Sequence, residues 1–191
     1  TTQSGHPNYA QYSTAFGFEA LYGNVNGSGG NVAVGFRAGK GTTVGRDNVM
    51  IGMQAGQAGT FEGNNNVAVG ANAAPNISSG TVNTCVGPYA GGGLTTGVHN
   101  TEIGYAAGYA NSTGSFNNSY VQNTAVGVLA SMFNGSAANN TSIGYIAGKA
   151  TYDNLASSGN LITGGNNSCV GYDSRQATVI ATNSINLGDA N

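Results

Sequence analysis

One motif recurs from end to end of this chain, and it limits what the chain can fold into. It reads Asn, a β-branched residue, a small residue, Val or Ile, Gly, two variable residues, Ala and usually Gly. It appears as STAFGFEAL from Ser13, NVAVGFRAG from Asn31, NVMIGMQAG from Asn48, NVAVGANAA from Asn66 and NTCVGPYAG from Asn83. It continues as NTEIGYAAG from Asn100, NTAVGVLAS from Asn123, NTSIGYIAG from Asn140 and NSCVGYDSR from Asn167. A degenerate copy, NSINLGDAN, closes the series from Asn183. Its glycines are 17 or 18 residues apart, except for 23 between Gly104 and Gly127 and 27 between Gly144 and Gly171. A fixed short period over most of a chain specifies a solenoid, in which each coil packs on its neighbours.

The motif indicates how each coil is built. Counting the Asn as position one, positions two and four are β-branched or apolar, as in Val32 and Val34, Val49 and Ile51, Thr124 and Val126. Alternation with period two marks a strand with one buried face. Those positions are expected to point inward and the small residue between them outward. Gly at position five suits a corner needing φ > 0 or close backbone approach. The Ala at position eight suits a second, tightly packed short strand. Gly plus Asn make up about 31 % of the chain (33 Gly and 26 Asn of 191), and no stretch keeps a 3.6-residue apolar period, so helices are not expected.

The fold class expected is therefore all-β: a parallel β-solenoid, β-roll or β-helix, of about ten coils. Residues 1–12 form a lead-in and 13–191 the repeat domain. Coils stacked about 4.8 Å apart place Asn31, Asn48, Asn66, Asn83, Asn100, Asn123, Asn140 and Asn167 in one column. Stacked amides hydrogen-bond along such a column, so these residues are expected to form a structural ladder.

The coil interior is slender, and the apolar area it buries at ~25 cal/mol per Å² must offset a large ordering entropy. Position six adds Phe18, Phe36, Met53, Tyr105, Tyr145 and Tyr172, an apolar column along one edge. Such columns mark interfaces, so association of several copies, an intertwined homotrimer, is expected.

Composition narrows the partners. Charged residues are only 6 %, net charge is −2, and the five cations, Arg37, Lys40, Arg46, Lys149 and Arg175, form no basic stripe. No nucleic-acid partner is expected. No apolar run approaches the ~20 residues that span a membrane. The chain starts at Thr1 without Met, which suggests a processed product or fragment.

Enzymatic chemistry is not indicated. Seven carboxylates occur, Glu19, Asp47, Glu62, Glu102, Asp153, Asp173 and Asp189, and none makes the close pair a glycosidase needs within one chain. No catalytic residue is assigned. His6 and His99 lack metal-ligand spacing, so no metal or cofactor is expected. Cys85 and Cys169 share one motif position four coils apart, roughly 19 Å at the strand spacing, too far for a disulfide. Both are expected as free thiols. Rows of Thr-X-Thr would mark an ice-binding solenoid; Thr113 with Ser115 forms no such row.

The two long intervals locate insertions at 109–122 and 149–166, leaving the same corner two coils apart. They are expected to form one patch containing Tyr109, Phe116, Tyr120, Tyr152, Asp153 and Asn154. Aromatic faces stack on sugar rings and the amides and carboxylate take hydroxyls, so these six are the candidate receptor-binding residues.

At these residues the chain resembles known repeat families. NVAVG and AVGANA (68–73) resemble the head repeat of trimeric autotransporter adhesins, a left-handed parallel β-roll. The longer coil, with NTAVG and NTSIGYIAG, is more similar to distal repeats of bacteriophage tail fibres and tailspikes. INLGDAN (185–191) resembles the segment upstream of an endosialidase-type intramolecular chaperone domain. The resemblance implies an extracellular homotrimer that attaches to a bacterial surface glycan or protein. It belongs to a virion tail appendage on the tail-fibre likeness and to a bacterial cell surface on the adhesin likeness.

Overall fold

The computed structural model describes residues 12–24, 28–109, 121–132, 138–148, 165–174 and 183–188. Each motif copy supplies one three-residue strand. The first five are β1 Thr14–Phe16, β2 Val32–Val34, β3 Val49–Ile51, β4 Val67–Val69 and β5 Thr84–Val86. The others are β6 Thr101–Ile103, β7 Thr124–Val126, β8 Thr141–Ile143, β9 Ser168–Val170 and β10 Ile185–Leu187. They form one sheet in sequence order, every neighbouring pair parallel. Register follows the motif: Val32 pairs with Val49, Thr84 with Thr101 and Thr141 with Ser168. One strand per coil, stacked in order, is the all-β parallel solenoid that the period implies.

The inside of the coil reverses the hydrophobic expectation. In β2 to β9 the middle residue is buried and its two neighbours are half-buried or exposed. Position three therefore faces inward, as Ala33, Met50, Ala68, Cys85, Glu102, Ala125, Ser142 and Cys169. Positions two and four, Val126 among them, face outward. The asparagine at position one sets this parity. It is buried in every coil from Asn31 to Asn167, and side chains alternate along a strand, so position three must also point in.

The buried asparagines satisfy one another. Asn48 Nδ2 donates to Asn31 Oδ1 (3.0 Å) and to the Gly63 carbonyl (2.9 Å). Asn48 Oδ1 accepts from the backbone N–H of Asn66 (2.9 Å) and from its Nδ2 (3.1 Å). Both donors and both acceptor sites of the amide are thus filled. The pattern recurs upward, with the backbone N–H of Asn167 donating to Asn140 Oδ1. Serine stands at both ends: Asn31 N–H donates to Ser13 Oγ, and Ser184 Oγ donates to Asn167 Oδ1 (2.7 Å). The last copy is accordingly one residue out of the expected register. Ser184, not Asn183, occupies position one.

Two further features shape the coil. Position-five glycines from Gly17 to Gly171 have φ between 121° and 136°, and a Cβ there would lie within 3 Å of the next coil's glycine backbone. No other residue fits. The Ala at position eight is packed inside, as expected, but in a turn rather than a second strand. The residues on either side of it, at positions seven and nine, are left-handed: Arg37 (φ 56°) and Gly39 (φ 59°), Gln54 (φ 57°) and Gly56 (φ 60°). Backbone bonds still link coils there, as Gly39 N–H to Ala55 O and Gly56 N–H to Ala73 O. The larger buried side chains, Met50, Phe61, Ile77 and Leu94, fill the coils of β2 to β5.

Candidate functional site: an uncharged outer sheet face

Because positions two and four face out, the sheet presents two rows of side chains to its surroundings. Position two carries Val32, Val49 and Val67, then Thr84, Thr101, Thr124, Thr141 and Ser168. Position four carries Val34, Ile51, Val69, Val86, Ile103, Val126, Ile143 and Val170. Around the glycine corner runs the position-six row: Phe18, Phe36, Met53, Ala71, Pro88, Tyr105, Val128, Tyr145 and Tyr172. Ile51, Ile103, Ile143 and Val170 are 37–42 % exposed, and Phe18 and Tyr172 are 66 % and 64 % exposed. No Asp, Glu, Lys or Arg stands in any of the three rows among the described residues. At about 4.8 Å per strand the face runs roughly 40 Å. A branched-aliphatic strip of that length lies far beyond the scattered apolar residues of an ordinary surface.

The position-six rings order themselves along the edge. Phe18 stacks on Phe36 at 5.7 Å and Tyr145 on Tyr172 at 5.4 Å. Tyr89, at position seven, meets Tyr105 (6.0 Å) and Tyr109 (6.3 Å) edge to face. Tyr109 is the one candidate receptor residue placed by the structure, and it joins this cluster. Phe116, Tyr120, Tyr152, Asp153 and Asn154 lie outside the described residues, so the patch assigned to the two insertions does too. Sequence reasoning missed Tyr89, whose only signal is its place beside the aromatic row.

The ion pairs of the first coils centre on Glu19. Glu19 Oε2 accepts from Arg37 Nε and Lys40 Nζ, each at 2.7 Å. Those bonds, Lys40 first, hold the Glu19 carboxyl below its ordinary range. Arg37 lies 4.8 Å from the centroid of Phe36 and Lys40 lies 5.8 Å from that of Tyr22.

Among the described residues three titratable groups are inside, Glu102, Cys85 and Cys169. Glu102 is 1 % exposed, and the Cys85 thiol lies 3.8 Å from its Oε2. Burial first, then the Glu102 charge and hydrogen bond, push the Cys85 thiol well up. Burial also raises Cys169. Both cysteines are free, four strands apart at the centres of β5 and β9. Both sit in the core, where sequence parity had put them outside. Among the described residues no group of three or more His, Cys, Asp or Glu is placed to hold a metal, and no helix is long and apolar enough to cross a membrane.

No protein-family model matches the chain, and neither a curated protein nor a solved structure matches it.

Proposed function

We propose that this chain is the receptor-binding segment of a bacteriophage tail fibre or tailspike, working as a homotrimer that attaches to a glycan or protein on a bacterial surface. The observation that supports it best is the uncharged face of Val, Ile and Thr rows beside the aromatic row. Water contact over that area costs free energy at roughly 25 cal/mol per Å² of apolar surface, and association removes the cost. Two apolar strips meet at the glycine corner. In a ring of three each chain uses one strip against each neighbour, a head-to-tail arrangement, whereas a two-fold dimer needs a single self-complementary patch. The motif resemblance to fibrous trimeric repeats points the same way.

In this reading the coils are a rigid rod and the insertions at 109–122 and 149–166 make the contact with the cell. The test is adsorption of the purified protein to host cells alongside its melting curve. Replacing Tyr120 and Tyr152 by Ala is expected to leave melting within about 0.5 kcal/mol of the parent and to lower adsorption strongly, since aromatic anchors carry roughly 2 kcal/mol or more each. Unchanged adsorption would move receptor contact away from the insertions. A large drop in melting temperature would make the loops structural.

A further inference from the structure

The outer face is not uniform, and its two longest runs, β2 to β4 and β5 to β9, meet at one level. After Thr14/Phe16 in β1, rows two and four are both aliphatic from β2 through β4, as Val32/Val34, Val49/Ile51 and Val67/Val69. From β5 to β9 the second row is hydroxylic, as Thr84/Val86, Thr101/Ile103, Thr124/Val126, Thr141/Ile143 and Ser168/Val170, and β10 closes the sheet with Ile185/Leu187. The four threonines are register partners in consecutive strands, so their side chains form one unbroken column. This column alternates with Val and Ile rather than with a second threonine row. No hydrogen bond among the described residues uses the hydroxyls of Thr84, Thr101, Thr124 or Thr141, so their bonding capacity is directed outward. The edge row has its own profile. It is bulky at Phe18, Phe36 and Met53, small at Ala71 and Pro88, and bulky again at Tyr105, Tyr145 and Tyr172.

We propose that this face docks a second copy of the same chain in parallel and in register, and that the Val-to-Thr boundary between β4 and β5 sets that direction and register. The proposal rests on the homotrimer reading and adds how the copies align. A partner must match ridges repeating every strand over the whole sheet, and another copy of this chain has that spacing by construction. A face of identical coils is degenerate: sliding one copy by one coil, about 4.8 Å, loses contact only at the ends. Strands without distinguishing side chains are prone to such slips. The boundary removes the degeneracy. In parallel register the hydroxylic levels of one copy lie beside the hydroxylic levels of its neighbour, and the aliphatic levels beside the aliphatic ones. An antiparallel copy brings aliphatic rows onto the threonine column and leaves hydroxyls buried against methyl groups, which is unfavourable. A single polar position fixes strand register in coiled coils in the same way.

The experiment uses the full chain carrying one spin label at Thr60→Cys, an exposed site, with distances between copies read by pulsed dipolar spectroscopy and mass by light scattering. The parent is expected to give one narrow distance. Two variants erase the boundary from opposite sides: Thr84→Val/Thr101→Val/Thr124→Val/Thr141→Val, and Val32→Thr/Val49→Thr/Val67→Thr. Each is expected to stay associated and to replace the single distance by a broader set of longer ones, because axial offsets of whole coils, about 4.8 Å each, add in quadrature to the separation between labels. A narrow, unchanged distance in both variants overturns the assignment of register to the boundary while leaving association intact. Several distances in the parent overturn it too. A monomeric parent removes the homotrimer reading itself, which the mass reports separately.

Discussion

The residue preceding each ladder position is left-handed in every described coil, with φ between 55° and 59° where it is not glycine. Asn65, Asn139, Asn166 and Asn183 suit that conformation, since asparagine tolerates it best after glycine. Val82 does not, because a β-branched side chain there is a genuine outlier. Val82→Asn is therefore expected to raise stability by about 1 kcal/mol, read as a higher denaturant midpoint at unchanged slope. An equal or lower midpoint would show that Val82 makes contacts that outweigh its backbone strain. The buried Cys85 gives a pH expectation. Its pKa is raised in the fold above the ordinary 9.0, so the neutral thiol's burial stabilises fully below that pH. That stability is lost as pH rises further and the unfolded chain ionises. Thermal midpoints are expected to fall above about pH 9 in the parent and to fall less in Cys85→Ala. Glu19 has the opposite sign. Its lowered pKa contributes above the ordinary carboxylate value, and the contribution disappears as acid protonates it.

Within the coil, volume is shared between position three and position nine. Met50 lies between Gly39 and Gly56, where added Cβ atoms would come within 2.8 Å of its side chain. Glu102 lies in the same way between Gly91 and Gly108. Where position three is small, position nine can grow. Ser142 meets Ser131 through a 2.8 Å hydroxyl bond, and the coil of Ala68 carries Ala74. Gly56→Ala is therefore expected to cost about 1–3 kcal/mol from overpacking, on top of its left-handed φ. Adding Met50→Ala, which recreates the Ala68/Ala74 pairing, is expected to recover part of that loss. Additive costs in the double variant would show that the two positions do not share space. This trade is invisible to a hydrophobic-periodicity argument, which treats a strand as if its larger residues must face the core. The period, the parallel stacking and the asparagine column could all be read from the sequence. The inward face could not, because the usual rule sends Val and Ile inside. The ladder amides already occupy one face of each strand, and the short coil admits mainly Ala, Ser and Cys beside them. The candidate site was half-legible for the same reason. The position-six aromatics stood out as a column, while the larger face of Val34, Ile51, Val86, Ile103, Val126 and Ile143 was misread as core.

For the whole molecule, that inversion turns a solenoid with a thin core into one whose branched aliphatics lie on the outside. In the proposed homotrimer stability resides partly in assembly, so a folded single chain and an associated one should differ sharply in resistance to heat. Two neighbouring residues of β7 separate the inside of the coil from its outer face. Ala125→Asp buries a charge in the coil and is expected to cost several kcal/mol and prevent folding. Val126→Asp places the charge on the outer face, where the isolated coil tolerates it but a docked copy does not. The most direct measurement is the molar mass of the parent and of Val126→Asp by light scattering, with circular dichroism on both. We expect the parent at three times 19.0 kDa and Val126→Asp as a β-structured species of lower mass. A parent that is a folded, heat-stable 19.0 kDa monomer would contradict the account.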